Sequence, residues 1–358
     1  MTTAIHTGET GAGEKGRLAE IAGLGANGAA GNGVAGGVAA AAGPWRPVSP
    51  CSPDACLGAP AALAGPVHRV ARLLAAVLVV LAGLPLSLAA TRTSPARQAA
   101  ITRAWARTLL HALGVEVRVT AQSGGEVRVT APAAAGPSGV ELRVTTPAAA
   151  GPSGGGARVT EPAVAGPVGG GVLVVANHVS WLDPLVIAAT VPSRPLAKRE
   201  VAAWPVVGRL TAASGALFID RDRLSALPAA VETIANALRA GHTVAAFPEG
   251  TTWCGRGMGR FRPAVFQAAL DAGAEIRPVT LRYREGETHS TRPSFVGDDS
   301  LLASALRVTA TRGLVAEVVV LAPIRHRSGT AGKGRERAAL AGIAESRVRA
   351  RIPESHPA

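Results

Sequence analysis

The alternation of apolar and polar positions changes character several times along the chain. Residues 1–65 hold no sustained apolar period and are rich in Ala and Gly with scattered Pro, which predicts a disordered low-complexity tail. No apolar run follows the first residues, so a cleaved signal peptide is not expected. From Leu73 to Ala90, 18 consecutive residues carry no charge, close to the shortest run that crosses a hydrocarbon core. Gly83 and Pro85 sit inside this run and predict a kink that a membrane helix tolerates. Residues 66–94 are therefore expected to form a membrane-anchoring or transmembrane helix. Arg69 and Arg72 precede the run and Arg92 and Arg97 follow it, so charge leaves both orientation and the choice between spanning and lying in the interface open. Ile101, Trp105, Leu109 and Ala112 then recur at helical spacing, predicting an amphipathic helix over 95–113 that Gly114 ends. GVEVRVT after it alternates as a strand does.

Four near-copies of one short unit follow, VRVTAQSGGE, VRVTAPAAAGPSGVE, LRVTTPAAAGPSGGGA and RVTEPAVAGPVGGG. Their period is too short and variable for a solenoid, and they carry too little apolar surface to stack. Residues 121–170 are expected to be a disordered Pro/Gly/Ala insertion that interrupts a strand–turn–strand running from GVEVRVT into GVLVVANH. Loop entropy grows slowly with length, so such an insertion is tolerated, and deleting 121–168 is expected to leave activity nearly intact. From Gly171 onward strands and helices alternate. VLVVA, TVAAF, IRPVTLRY and VAEVVVLAP read as strands, and ALPAAVETIANALRAG and RPAVFQAALDAG as helices. This predicts an α/β sandwich with a mixed sheet over residues 95–330, preceded by the membrane-associated helix. Residues 331–358 read as a basic C-terminal helix and tail with a solvated face.

Composition narrows the partners. The formal net charge is +13 and the pI about 11.3, which suits an anionic membrane surface or a phosphorylated substrate. Part of that excess is what an Arg-, Ala-, Gly- and Pro-rich coding bias produces. Aromatics at 3% and dispersed Lys and Arg argue against a nucleic-acid reader. Three cysteines, Cys51, Cys56 and Cys254, do not make a disulfide framework, and none lies in a sequence cluster with His. The chain therefore reads as facing a reducing compartment, with no metal expected.

Candidate chemistry gathers at predicted strand ends. After VLVVA comes NHVSWLD, in which Asp183 stands five positions beyond His178. Where a strand turns into a helix, that spacing lets the carboxylate hold one imidazole nitrogen while the other accepts a proton from an alcohol. After TVAAF comes FPEGTT, residues 247–252, a small-residue turn whose backbone N–H groups suit an anion or a developing oxyanion. GALFIDR delivers Arg221 to the same edge, where a guanidinium grips phosphate, and LAKRE adds Lys198. Trp181 and Trp253 flank these motifs as packing or membrane-edge residues.

In order and spacing, NHVSWLD, GALFIDR, FPEGTT and the later Arg277-Pro278-Val279 resemble the four motifs of the PlsC-like glycerolipid acyltransferases, across about residues 100–325 without the repeats. The resemblance implies that His178 deprotonates an acceptor hydroxyl that attacks an acyl thioester directly, with Asp183 orienting and charge-balancing it. It implies that Arg221 and Lys198 bind the acceptor's phosphate, and that Glu249, Gly250 and Thr251 shape the acceptor and oxyanion side. It further implies lysophosphatidic acid as acceptor, acyl-CoA or acyl carrier protein as donor, no metal or redox cofactor, and a site on the cytoplasmic face of the cell membrane. One departure stands out. Many members carry Arg where this chain has Thr252, which leaves a lyso-aminolipid, a glycolipid or a head-group lysophospholipid as alternative acceptors; Arg256, Arg260 or Arg262 would have to replace that Arg. A non-catalytic lipid-binding protein on the same fold is the alternative of another class.

Overall fold

The computed structural model describes residues 47–90, 92–121, 127–130, 143–145, 170–220, 223–327 and 333–352. The sequence-predicted tail therefore ends earlier than expected, because residues 47–65 are seated on the domain. Ser52 caps a one-turn helix, α1 (Pro53–Cys56), by accepting from Ala55 N. Gly58 N donates to Thr291 Oγ1 at 2.8 Å and Ala61 N to Glu285 Oε2 at 2.8 Å. These bonds run to residues more than two hundred positions away, so no local period announces them.

The apolar run forms α2 (Pro66–Ala90), which continues through Pro85. It is the one helix among the described residues long and apolar enough to cross a membrane. Its buried positions are Ala76, Gly83 and Ala90, one small residue every seven, so a narrow stripe docks on the domain. A Cβ on Gly83 would lie 2.6 Å from Trp105 Nε1, whose N–H donates to Val79 O at 2.9 Å. Leu74, Val77, Leu78, Leu81, Leu86 and Leu88 remain exposed, an apolar surface that water does not favour. The amphipathic helix follows as α3 (Pro95–Ala112), then β1 (Val115–Ala121).

Two short strands, β2 (Val127–Thr130) and β3 (Arg143–Thr145), lie inside the repeats. β2 pairs in parallel with β11 (Ile324–Arg327) and antiparallel with β3. The insertion was expected to hold no structure; its RVT units instead carry enough β-branched alternation to extend a sheet edge. The remaining elements are β4 (Val172–Ala176), α4 (Asp183–Thr190), β5 (Arg194–Lys198), α5 (Val207–Ala213), β6 (Leu217–Ile219), α6 (Leu227–Arg239), β7 (Thr243–Ala246), α7 (Ala264–Ala272), β8 (Glu275–Glu285), β9 (Thr288–His289), α8 (Leu301–Ala310), β10 (Leu314–Val320) and α9 (Lys333–Arg349).

Five strands run parallel in the order β6-β5-β7-β4-β8. Beyond β8 the sheet turns mixed: β10 is antiparallel to β8, and β1 is parallel to β10. The expected run from GVEVRVT directly into GVLVVANH therefore fails, because β10 and β8 stand between β1 and β4. The registers place Ala121 level with Val320, Val279 and Ala176, at the far end of β4 from its first residue. Bridging three strand spacings and the length of β4 needs roughly 20 Å. Deleting 121–168 would leave three residues between Thr120 and Val172, which reach roughly 14 Å at full stretch. The insertion is therefore a necessary span as well as a repeat.

The sheet is buried on both faces, which is why β4 reads as an unbroken apolar run. Leu173 and Val175 join the core under α6, α7 and α9, while Val172, Val174 and Ala176 join the core under α3, α4 and α8. Each of these Val and Leu side chains contributes about 1.5–3 kcal/mol by leaving water. In α9 the expected solvated face is only half the story. Leu340, Ala344 and Val348 recur every fourth residue and are fully buried, a stripe that the neighbouring arginines obscure in the sequence.

Candidate active site

Parallel strands that end together create a crevice at their carboxyl edge. Here β4 ends in the His178 loop, β7 in the Glu249 loop and β5 in Lys198, all at that edge. β6 stops at Ile219; Arg221, two residues on, lies outside the described residues.

The His178 loop is organised by one carboxylate. Asp183 is the first residue of α4, with Pro184 after it, and is fully buried. Its Oδ2 accepts from Val179 N at 2.5 Å, from Ser180 N at 2.8 Å and pairs with His178 Nδ1 at 2.8 Å. Its Oδ1 accepts from Tyr283 Oη at 2.6 Å. Four donors converge on a group that only accepts when ionised. The pairing at Nδ1 assigns that nitrogen the proton and leaves Nε2 of His178 with its lone pair. The ring is held flat from the side: Phe247, at the end of β7, stacks on it with centroids 4.3 Å apart and planes 17° apart. The His178 side chain keeps 17% exposure, enough for an acceptor proton to reach it.

Asn177 completes the strand end. Its side-chain amide donates to Leu281 O at 2.9 Å and accepts from Leu281 N at 2.8 Å, prolonging the β4–β8 ladder with a side chain. This sets where His178 leaves the sheet.

Glu249 braces the second loop. Its Oε1 accepts from His178 N at 2.7 Å and its Oε2 from Gly259 N at 2.7 Å, so both oxygens of this substrate-side candidate are engaged with backbone. Burial pushes its carboxyl up to about 8, the two N–H donors pulling the other way and the charge of Asp183 adding to the rise. Gly250 adopts φ +76°, and a Cβ there would lie 2.7 Å from Pro47 Cγ, so only glycine suits both the turn and the segment laid over it. Thr251 is half-buried beside it. Thr252 Oγ1 donates to Phe295 O, and Trp253 N donates to His178 O at 2.8 Å. The two loops are thus stitched together by backbone and side chain alike.

The cationic candidates are arranged less tightly. Lys198 Nζ lies 3.5 Å from Glu200 Oε1 and is half-exposed. Arg260 and Arg262 are exposed, and Arg256 is half-buried with its guanidinium beside Gly58. Arg277 pairs with Glu275 on β8.

Sequence reasoning missed Tyr283, the one tyrosine of the chain. It shares a face of β8 with Val279 and Leu281, and a phenol in an otherwise aliphatic alternation was the available signal. Burial and the neighbouring Asp183 raise its hydroxyl well above the ordinary value, which keeps it a donor. Missed as well was Glu345 on α9, whose Oε2 accepts from Phe261 N at 2.8 Å; nothing local to either residue signals it.

Comparison with known proteins bears on the family and the fold. The Acyltransferase family profile matches residues 158–282. A 1-acyl-sn-glycerol-3-phosphate acyltransferase of Neisseria gonorrhoeae is 38% identical over 148 residues, 41% of this chain and 58% of the relative. A lyso-ornithine lipid O-acyltransferase of Brucella abortus is 31% identical over 192 residues, 50% of this chain and 70% of that protein. The crystal structure of the 1-acyl-sn-glycerophosphate acyltransferase PlsC from Thermotoga maritima shares the fold, with TM-score 0.51 and 17% identity, covering 79% of this chain and 92% of that one. The chain spans 58% of the length of the Neisseria relative, and the residues matched by the family profile include both loops. By its motifs, its fold and its Brucella relative, the chain belongs to the PlsC-like acyltransferase family.

Proposed function

We propose that the chain is a membrane-associated O-acyltransferase that moves a fatty acyl group from acyl-CoA or acyl carrier protein to the sn-2 hydroxyl of lysophosphatidic acid. The observation that carries this reading is the assembly of His178, its Nδ1 held by Asp183 and its Nε2 left to accept a proton, at the carboxyl edge of the parallel sheet. His178 takes the acceptor's hydroxyl proton as that oxygen attacks the thioester carbonyl. The tetrahedral intermediate collapses with cleavage of the C–S bond, and the proton passes from His178 to the departing thiolate. Products are the ester and a free thiol, with no acyl-enzyme and no metal or redox cofactor in the step. Asp183 stabilises the imidazolium that forms between the two transfers. Gly250 and Thr251 shape the acceptor side, while Lys198 and Arg221 supply positive charge for its phosphate. Glu249 acts by fixing where His178 sits. The exposed face of α2 meets lipid, with the site on the cytoplasmic side.

A second reading keeps the chemistry and changes the acceptor to a lyso-aminolipid. Thr252 favours it, because the hydroxyl at this position is turned to Phe295 O and brings no charge for a phosphate. The test follows thiol release from a long-chain acyl-CoA in membranes carrying wild type or His178→Ala, with lysophosphatidic acid and a panel of other lyso-lipids. Release that depends on His178 and prefers lysophosphatidic acid supports the first reading. Dependence with another preference supports the second. Failure of every acceptor and donor overturns both and leaves a lipid-binding protein.

A further inference from the structure

The segment 47–57 and the Glu249 loop bring three cysteines together that lie 203 positions apart at the extreme. Cys51 and Cys56 are each 4% exposed and Cys254 is fully buried. Their three Sγ atoms all lie within 4.8 Å of one another, and none of the three is in a disulfide. Cys254 N approaches Cys51 Sγ at 3.4 Å. The surroundings are dry: Val296 and Trp253 pack against the three.

The local structure is arranged for this meeting. The Ser52 cap and Pro53 close one tight turn that holds Cys51 and Cys56 at its two ends. Gly297, at φ +62°, leaves room for it; a Cβ there would lie 3.2 Å from Pro53 Cδ and 3.4 Å from Cys51 O. Gly255, at φ +85°, follows Cys254 directly.

We propose that Cys51, Cys56 and Cys254 bind one soft divalent cation of the zinc class, through three thiolates, as a structural site distinct from the catalytic residues. A turn with four residues between two cysteines has the spacing of zinc-binding turns, and zinc takes sulfur ligands at about 2.3 Å in a tetrahedron. That geometry sets neighbouring sulfurs about 3.8 Å apart, within the observed cluster. Among the described residues no fourth histidine, cysteine or carboxylate atom joins the three, so the fourth position goes to a small exogenous donor. Without metal the three side chains are thiols, none of them in a disulfide. The cation replaces those protons, three thiols giving three thiolates and three released protons, with no change of oxidation state. An odd number of thiols in a reducing compartment suits metal better than a disulfide, which would strand the third.

The consequence is mechanical. Cys254 lies five residues after Glu249 and next to Trp253, whose N–H holds His178 O. The metal therefore clamps the segment that covers Gly250 to the loop that carries Glu249. The inference does not rest on the acyl-transfer reading.

The experiment uses the full chain purified in detergent without chelators or metal-affinity resin. Elemental analysis is expected to find about one zinc per chain in wild type and in His178→Ala. Cys51→Ser/Cys254→Ser should fall to background. Reloading wild type with Co(II) after chelation should give a thiolate-to-cobalt charge-transfer band with the strength of three sulfurs. The three cysteines should resist alkylation until a chelator is added. Wild type that stays metal-free after incubation with excess zinc, three thiols that alkylate equally with and without zinc, or a disulfide found by mass spectrometry would each overturn the proposal. The wild-type measurements stand even if the double variant fails to fold.

Discussion

The loop after β4 and the loop after β7 reach one sheet edge by different means. In the first, the catalytic pair is organised from within: Asp183 gathers His178, Val179 and Ser180 within five positions, and of the four donors on Asp183 only Tyr283 comes from elsewhere. In the second, residues 247–261 are held almost wholly from outside. Glu249 reaches back to His178 N, Pro47 covers Gly250, Cys254 meets Cys51 and Cys56, and Glu345 holds Phe261. A seven-residue constellation carries its geometry in its own spacing. A loop braced by three remote segments keeps its shape only while each of them is docked.

The largest break in that comparison is Asp183→Asn. An amide brings N–H to a place where three donors already point, so turnover is expected to fall by about 10²–10⁴. Stability should fall too, by about 3 kcal/mol. Thermal unfolding beside an acyl-transfer assay checks both. His178→Ala should lose turnover to the same extent with little change in melting.

Glu249→Gln comes next, since it leaves one of two buried N–H donors facing an amide, a cost of about 1–3 kcal/mol. Its pH signature is sharper than its size. The folded-state carboxyl is raised from an ordinary 4.5 to about 8, so the native state binds this proton more tightly than the unfolded chain does. The contribution is fully present below 4.5 and is lost as pH rises through about 8. The melting temperature of wild type relative to Glu249→Gln is therefore expected to fall across that interval and level off above it. A constant difference would show that the backbone donors, and not burial, govern this carboxylate.

Tyr283→Phe removes one donor of four and leaves the packing. We expect about 1 kcal/mol lost in stability and a several-fold drop in kcat with KM unchanged, because the hydroxyl acts on Asp183 and not on substrate. A change confined to KM would refute the positioning role. The smallest effect belongs to replacing the insertion, as distinct from deleting it. Replacing 122–168 with a flexible linker of about ten residues, longer than the roughly 20 Å span requires, should preserve activity. Direct deletion of 121–168 should abolish folding, and equal tolerance of the two would disprove the β1–β10–β8–β4 order.

Much of this was legible before any coordinates. VLVVA and VAEVVVLAP announce strands because buried parallel and central strands are continuously apolar, and HVSWLD announces a strand-to-helix turn with its acid on the helix. What stayed hidden shares one physical cause, a partner far away in sequence. Residues 47–65 look structureless because their hydrogen bonds are with Thr291, Glu285 and Ala310. The RVT repeats look like linker because an edge strand shows only in the presence of the sheet it extends.

The sequence by itself determined the central strands and helices of the domain, the family, and the pairing of His178 with Asp183, since periodicity, caps and short spacings act over one or two turns of chain. Tertiary structure alone decided that two strands stand between β1 and β4, that Tyr283 serves Asp183, that Glu249 is a brace, and that three scattered thiols share one dry site. Those outcomes depend on which distant surfaces exclude water together, and no local pattern records that choice.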